Sequence, residues 1–407
     1  MKIFIVNITS EFGSTGKIAQ ILKDGYKANG HDVTICYGQQ KVKDRNKEGT
    51  YLISNKFENA ISVIGQRVLG FPGMGCYFST QRFLKHLSNE KPDIVHLLNI
   101  HGYYLDEFAL LNYLKKNNIK TIYTMCDEYP FTGKCGFAFE CGGFRKDCKG
   151  CKEKKSYPTS WFFNTSSWFF EKKKKCYDGF SNIVFAGCGY VVNRAKESTL
   201  LQDKRFEYVG EPIEMDKTFI PRDVSELRCK LNIPSENKVL LTVAVLSNER
   251  KGGQYFIDLC NKMQGMDGYS FVYVGYNTDK YESIAPANMI RIPYVESLET
   301  LAEYFSLADV FVATTLADTV PNAVINRLAC GTPVCAFNIG GMSSIRISDP
   351  SIIKATPTGD VEMLLNSVLS FDKKTRADIK RNREAIYKDF SASGVIDSYL
   401  RIIESFK

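Results

Sequence analysis

Residues 238–260 read KVLLTVAVLSNERKGGQYFIDLC. A nearly unbroken run of Val, Leu and Ala comes first, then a polar turn, then an amphipathic stretch that opens on two glycines. A strand without polar alternation is apolar on both faces, as strands of a parallel sheet covered by helices must be. The same unit recurs downstream in SFVYVGY, IRIPYV, LETLAEYFSLA, VFVATT, NAVINRLACG and PVCAFN, and upstream in KIFIVNI, TGKIAQILKDGYKANG, VTICYG, DIVHLLN, KTIYTM and NIVFAG. A Pro-bearing, charge-rich segment around residues 211–235 separates the two series. Two such series predict two Rossmann-like, doubly wound α/β domains. The expected boundaries are 1–210, 211–388, and a C-terminal helix at 389–407 that returns to the first domain. From about residue 373 the chain reads as helix throughout.

The bulk numbers agree with that division. A chain of 407 residues exceeds what one core usually spans. With 44% hydrophobic and 24% charged residues the composition is that of an ordinary soluble globular protein. The opening MKIFIVNITS breaks at Asn7, too early and too polar for a signal peptide or a membrane span of about 20 residues, so the expected location is the cytoplasm. The formal charge is +8, and residues 140–175 hold ten Lys and Arg against four acids. Such a patch favours an anionic surface: lipid head groups, nucleic acid or a phosphorylated acceptor.

In open parallel sheets ligands sit beyond the carboxyl ends of the strands, so the loops there carry the chemistry. EFGSTGKI, residues 11–18, follows the first strand. It is not a Walker loop, because Glu11 and Ile18 stand where that pattern needs glycine and a hydroxyl. Gly13 and Gly16 leave two readings, a tight strand-to-helix turn or an anion site at a helix start. SNERKGG, residues 247–253, places Arg250 and Lys251 before a glycine pair that opens a helix. Two cations and backbone amides aimed at one place suit a diphosphate, and stabilise it as it leaves without a metal. The counterpart is LADTVPNAVINRLACGTPV, residues 316–334. Asp318 follows a strand and accepts from sugar hydroxyls, Pro321 starts a helix, and Asn322 and Ala323 offer amides at its positive end.

At these motifs the chain resembles the retaining, metal-independent glycosyltransferases of family 4, which have the GT-B fold of two Rossmann-like domains facing across a cleft. The resemblance runs through GSTGKI, VHLLNIHGYY at 95–104, TMCDEYPFTGKC at 124–135, ERKGG, and DTVPNAVINRLACGTPVCAFNIGG at 318–341. Within that family it is most similar to bacterial exopolysaccharide and capsule transferases of the colanic-acid type. The resemblance implies that Arg250 and Lys251 hold the donor diphosphate, that Pro293, Tyr294 and Val295 receive the base, and that Asp318 binds the transferred sugar. Backbone around Val320, Pro321, Asn322 and Ala323 supports sugar and phosphate. His101 and Asp127 face the cleft from the first domain, where Gly13 and Gly16 border acceptor and phosphate.

Three positions depart from the family pattern. Its acid-x7-acid pair runs here from Asp318 to Asn326, which keeps one carbonyl acceptor and adds an amide donor for ribose hydroxyls. Cys126 replaces the usual His before Asp127. Val245 stands at the usual Arg position after the first strand of the second domain, with Arg250 as a substitute.

Two further groups stand apart. Cys135, Cys141, Cys148 and Cys151 have the spacing C-x5-C-x6-C-x2-C, within an insertion at about 133–155. They are read as structural zinc or as free thiols, with structural zinc preferred. SWFFNTSSWFFEKKKK, residues 160–175, joins two aromatic clusters seven apart to four lysines. It is either a membrane-interface segment on one helical face or a helix packing its aromatics inward.

The sequence therefore predicts a cytoplasmic hexosyltransferase at the inner face of the membrane, without a catalytic cofactor. It moves a sugar from a nucleotide diphosphate sugar, UDP first and GDP next, to a saccharide or lipid-linked acceptor. No nucleic-acid partner is expected. The rival is a catalytically inactive sugar-nucleotide-binding or scaffold subunit. A nicotinamide dehydrogenase is poorly supported, because no G-x-G-x-x-G follows the first strand of either domain.

Overall fold

The computed structural model describes residues 1–38, 47–71, 73, 75–138, 141–151, 158–245, 249–276, 281, 283–316, 322–345 and 347–406. The chain divides into two compact units, Met1–Glu211 with Ile396–Lys407, and Pro212–Val395.

The first unit holds strands β1 (Lys2–Asn7), β2 (Asp32–Tyr37), β3 (Thr50–Leu52), β4 (Ile94–Leu97), β5 (Lys120–Thr124), β6 (Ile183–Gly187) and β7 (Arg205–Tyr208). They form one sheet in the order β3-β2-β1-β4-β5-β6-β7, with every pairing parallel. Every residue of β4 and β6 is buried, which accounts for their unbroken apolar runs. Helices α1 (Gly13–Ala28), α2 (Lys56–Leu69), α3 (Tyr77–Glu90), α4 (Glu107–Lys116), α5 (Ser166–Tyr177) and α6 (Gly189–Lys196) connect them. The strand order reverses between β1 and β4, so the loops leaving these two neighbours diverge to opposite faces and leave a crevice.

The second unit has β8 (Lys238–Val243), β9 (Tyr269–Val274), β10 (Ile290–Ile292), β11 (Val310–Ala313), β12 (Val334–Phe337) and β13 (Ile353–Thr356), in the parallel order β10-β9-β8-β11-β12-β13. Its reversal lies between β8 and β11. Its helices are α7 (Ser225–Lys230), α8 (Gly253–Lys262), α9 (Leu298–Leu307), α10 (Asn322–Ala329), α11 (Val361–Leu369) and α12 (Arg376–Phe390).

The continuous C-terminal helix expected from about residue 373 is broken. Ser391 is extended between α12 and α13 (Ala392–Glu404), and its hydroxyl accepts from Gly394 N at 3.1 Å. From Ile396 onward α13 belongs to the first unit. There Tyr399 hydroxyl bonds Thr124 Oγ1 at 2.6 Å, Thr124 bonds His96 Nε2 at 2.7 Å, and His96 Nδ1 is hydrogen-bonded to Tyr26 hydroxyl at 3.0 Å. Burial pulls the His96 pKa down to about 3. The imidazole is therefore neutral, one nitrogen donating and the other accepting.

Candidate active site

In the first unit the reversal point brings together the loops after β1 and β4. Asn7 closes β1 and donates to Thr9 O at 2.7 Å, while its carbonyl oxygen accepts from Asn99 N beyond β4 at 3.2 Å. The GSTG turn folds back tightly. A Cβ on Gly16 would stand 2.7 Å from Thr9 Oγ1 and 2.8 Å from the Glu11 carbonyl carbon, so only glycine fits. α1 starts at Gly13 with no side-chain cap and no acid in its first turn, leaving its amides at the positive helix end.

His101 lies in the loop after β4, 4% exposed, with Nε2 3.2 Å from Asp127 Oδ2. Its ring stacks on Tyr129, and Asp127 Oδ1 accepts from Tyr129 N at 2.9 Å. The structure thus brings two of the expected site residues together. Two positions later Tyr103 holds φ +65°, a left-handed backbone that costs a non-glycine residue of order 1 kcal/mol and that collects at functional loops.

Beneath that pair runs a network that motif reading misses. Tyr129 hydroxyl donates to Glu107 Oε1 at 2.6 Å, and fully buried Lys173 donates to Tyr129 O at 2.6 Å and Thr132 O at 3.2 Å. Lys173 Nζ also lies 3.4 Å from the centre of the Tyr129 ring. Burial pulls the Lys173 pKa down to about 8, against the pull of Glu107, and burial pushes Glu107 up. Glu128, also buried, accepts from Ala138 N and pairs with Arg194, which pins the following loop. Lys173 was hidden inside a lysine run that reads as solvated surface. Cys126 is half-buried, and burial pushes its thiol well up, so it stays protonated and is a weak donor.

In the second unit the reversal point joins the loops after β8 and β11. Glu249–Lys251 forms a single tight turn, and Leu316 N donates to Arg250 O at 2.8 Å. Gly252 holds φ +62°, and a Cβ there would stand 1.9 Å from Thr314 O. The cation turn is therefore clasped to the chain two residues before Asp318. Arg250 and Lys251 are half-buried, and α8 begins beside them with no side-chain cap and no acid in its first turn. Pro293 and Tyr294 are exposed and Val295 half-exposed beyond β10, whose Ile292 O accepts from Gly275 N at 2.9 Å. Asn322 and Ala323 open α10, and Asn326 is half-buried one turn on. Val245 is half-buried just past β8. Asp318, Val320 and Pro321 lie outside the described residues.

All thirteen cysteines are free. Burial pushes the thiols of Cys135 and Cys148 up to about 11 and about 12, and Cys148 Sγ accepts from Gly133 N at 3.2 Å. Among the described residues no group of three or more His, Cys, Asp or Glu has a metal-holding arrangement. The zinc expectation rests on spacing alone. The expectation of one helical face for both aromatic clusters of 160–175 does not hold. α5 starts only at Ser166, Phe169 and Phe170 are buried, and residues 161–163 are exposed ahead of it.

Residues 237–371 match the family of glycosyl transferases group 1. The matched stretch lies within the second unit. Two curated relatives are similar over parts of the chain. D-inositol 3-phosphate glycosyltransferase of Nocardiopsis dassonvillei is 31% identical over 80 residues, 20% of this chain and 19% of that protein. The putative colanic acid biosynthesis glycosyl transferase WcaC of Escherichia coli is 19% identical over 255 residues, 60% of each chain. The matches thus span less than two thirds of either relative. Among solved structures, sucrose-phosphate synthase of Thermosynechococcus elongatus gives a TM-score of 0.68 at 13% identity, covering 100% of this chain and 98% of that one. The Anabaena HepE protein in complex with UDP and glucose gives 0.61 at 11% identity, with both chains covered completely. At such identities the likeness carries the fold: two Rossmann-like units of the GT-B type.

Proposed function

We propose that the protein is a retaining, metal-independent glycosyltransferase that moves a hexosyl group from a nucleotide diphosphate sugar to a saccharide or lipid-linked acceptor. UDP is the first carrier to try and bacterial surface polysaccharide the product class, at the inner face of the membrane. The observation that carries this reading is the clasp between Leu316 and Arg250. It sets the Arg250 and Lys251 turn against the loop that leads to Asp318. The UDP and glucose of the Anabaena complex and the colanic-acid name of the Escherichia coli relative point the same way.

In this reading Arg250 and Lys251 grip the diphosphate, with the first amides of α8 beside them. Pro293, Tyr294 and Val295 take the base, Asp318 the hydroxyls of the transferred sugar, and Asn326 the ribose. Val320, Pro321, Asn322 and Ala323 form the helix tip that supports sugar and phosphate. His101 and Asp127 serve the acceptor side, and Gly13 and Gly16 let the backbone approach it. The bond from the anomeric carbon to the diphosphate oxygen breaks, and its electron pair leaves with the diphosphate. The acceptor oxygen bonds the same face, and its proton passes to a leaving phosphate oxygen. The demand on the protein is mainly electrostatic support of that charge as it develops.

The test is a thermal-shift panel of UDP-, GDP-, ADP- and dTDP-sugars on the wild type and on Lys251→Ala. One carrier should raise the melting temperature of the wild type and act far more weakly on the variant. Stabilisation by none of them overturns the reading.

A further inference from the structure

Helix α2 is built inside out. Its buried residues are Glu58, Ser62 and Gln66, spaced i, i+4, i+8 along one stripe, while Phe57, Ile61, Ile64 and Leu69 are exposed. Each residue of the polar stripe is hydrogen-bonded inward. Glu58 accepts from the backbone amides of Phe78 and Ser79 at the start of α3, Ser62 hydroxyl accepts from Gly73 N at 2.8 Å, and Gln66 donates to Pro158 O at 3.0 Å and Thr159 O at 3.1 Å. These bonds fix the rotation of the helix, so its apolar side cannot turn inward.

The neighbours that α2 holds in place are apolar and exposed as well. Phe78 at the start of α3 is 78% exposed, beside Phe57 at 75% and Ile64 at 62% on α2 itself. On the other side Trp161 N donates to Arg67 O at 2.7 Å, and Phe162 beside it is 66% exposed. Exposed large side chains scattered singly are ordinary, but a set of them on three segments that are hydrogen-bonded to one another marks a surface made to be covered. The exposed charges that α2 itself carries are cations. Lys56 and Arg67 are exposed on α2, with the Arg67 guanidinium 5.9 Å from the Trp161 ring, and Lys172 Nζ lies 5.2 Å from the Trp168 ring. The one acid of α2 is Glu58, which is buried and engaged. Aromatic and aliphatic side chains rimmed by Lys and Arg match the boundary between acyl chains and anionic head groups, where indole and phenyl rings anchor and cations gain by about 1 kcal/mol each. A second copy of the chain would bring like charges together on that rim. No described helix is long and apolar enough to cross a membrane, so contact is lateral.

We propose that the outer face of α2, with the start of α3 and residues 161–163, docks the first unit on an anionic lipid bilayer. The inference deepens the membrane part of the functional reading and moves its centre from the lysine run to α2. It does not depend on sugar transfer, since docking is measured without donor or acceptor.

The experiment is flotation of the full chain with vesicles of phosphatidylethanolamine and phosphatidylglycerol, against vesicles of phosphatidylcholine. The wild type should float with the anionic vesicles only. Phe57→Ser/Ile64→Ser/Phe78→Ser should lower partitioning at least about tenfold, while its melting temperature and its stabilisation by UDP stay those of the wild type. Should that variant fold poorly, Lys56→Glu/Arg67→Glu, which touches only exposed charges, should give a similar loss that grows with salt. A wild type that stays at the bottom of the gradient, or a charge-reversed variant that floats as well as the wild type, overturns the proposal. So does a wild-type dimer in light scattering that the serine variant converts to monomer, which would assign the face to a second copy. A loss of UDP stabilisation alone would count against the transferase reading and leave the docking result standing.

Discussion

The imidazole of His101 lies flat on the phenol of Tyr129, ring centres 4.1 Å apart and planes 16° from parallel. The phenol is held from below by Glu107 and Lys173, so the orientation of His101 toward Asp127 is set by side chains that never reach the surface. Tyr129→Leu should lower kcat by about 100-fold, the cost of a small misplacement of an aligned group, while donor affinity stays within about twofold. Tyr129→Phe keeps the stack and removes only the bond to Glu107. It should spare most of kcat but cost about 1–3 kcal/mol of stability by stranding a buried carboxyl. Steady-state transfer rates and calorimetric UDP binding separate the two effects.

Gly252 is a second fixed point. Gly252→Ala must push a methyl into Thr314 O and strain a left-handed backbone, which unseats Arg250 and Lys251 together. The variant should lose donor binding and melt several degrees lower. Lys251→Ala should melt close to the wild type and weaken donor binding by about 10–100-fold, one charge-assisted contact. Calorimetric titration with UDP checks both. Equal affinity of Lys251→Ala and wild type would remove Lys251 from the donor site.

Acid should loosen the first unit through His96. Its folded pKa is about 3 against an ordinary value near 6.5, so the unfolded chain takes up a proton that the folded protein refuses. The corresponding stability is complete above pH 6.5 and falls away as pH drops from 6.5 toward 3, by about 1.4 kcal/mol per unit. Lys173 acts in the same sense at the alkaline end. With a folded pKa near 8 against 10.5, its burial destabilises most below pH 8, and stability rises as pH climbs from 8 to 10.5. Between pH 7 and pH 5 the wild type should lose melting temperature that His96→Gln does not. Parallel decline of both proteins would place the acid sensitivity elsewhere.

The zinc proposal on Cys135, Cys141, Cys148 and Cys151 is settled by metal analysis. About one equivalent should accompany the purified protein and be lost in Cys148→Ser, with a drop in thermal stability. A metal-free and fully stable wild type ends it in favour of four ordinary thiols.

Much of the architecture was legible because its signals are local. Ten of the thirteen strands among the described residues stand out as apolar runs, since a strand buried on both faces leaves no other pattern. The three that escape, β3, β7 and β13, are short edge strands such as Thr50–Leu52, whose residues are all half-exposed. The turns at Gly16 and Gly252 were also readable, because a bare backbone position has few alternatives to glycine.

What the sequence by itself determined is the period of each element and the chemistry of each turn: strand, glycine turn and helix, twice over, with cations at one turn and His101 and Asp127 downstream of two strands. Tertiary structure alone decided which strands become neighbours, and so that Arg250 meets Leu316 and His101 meets Tyr129. It also decided which side of a helix is inside. The stripe of Phe57, Ile61 and Ile64 has the spacing of a core face, yet Glu58, Ser62 and Gln66 take the interior because the adjoining loops present backbone groups there that only polar side chains can satisfy. Periodicity along a chain fixes the stripe; the groups that the fold sets opposite it fix the direction the stripe faces.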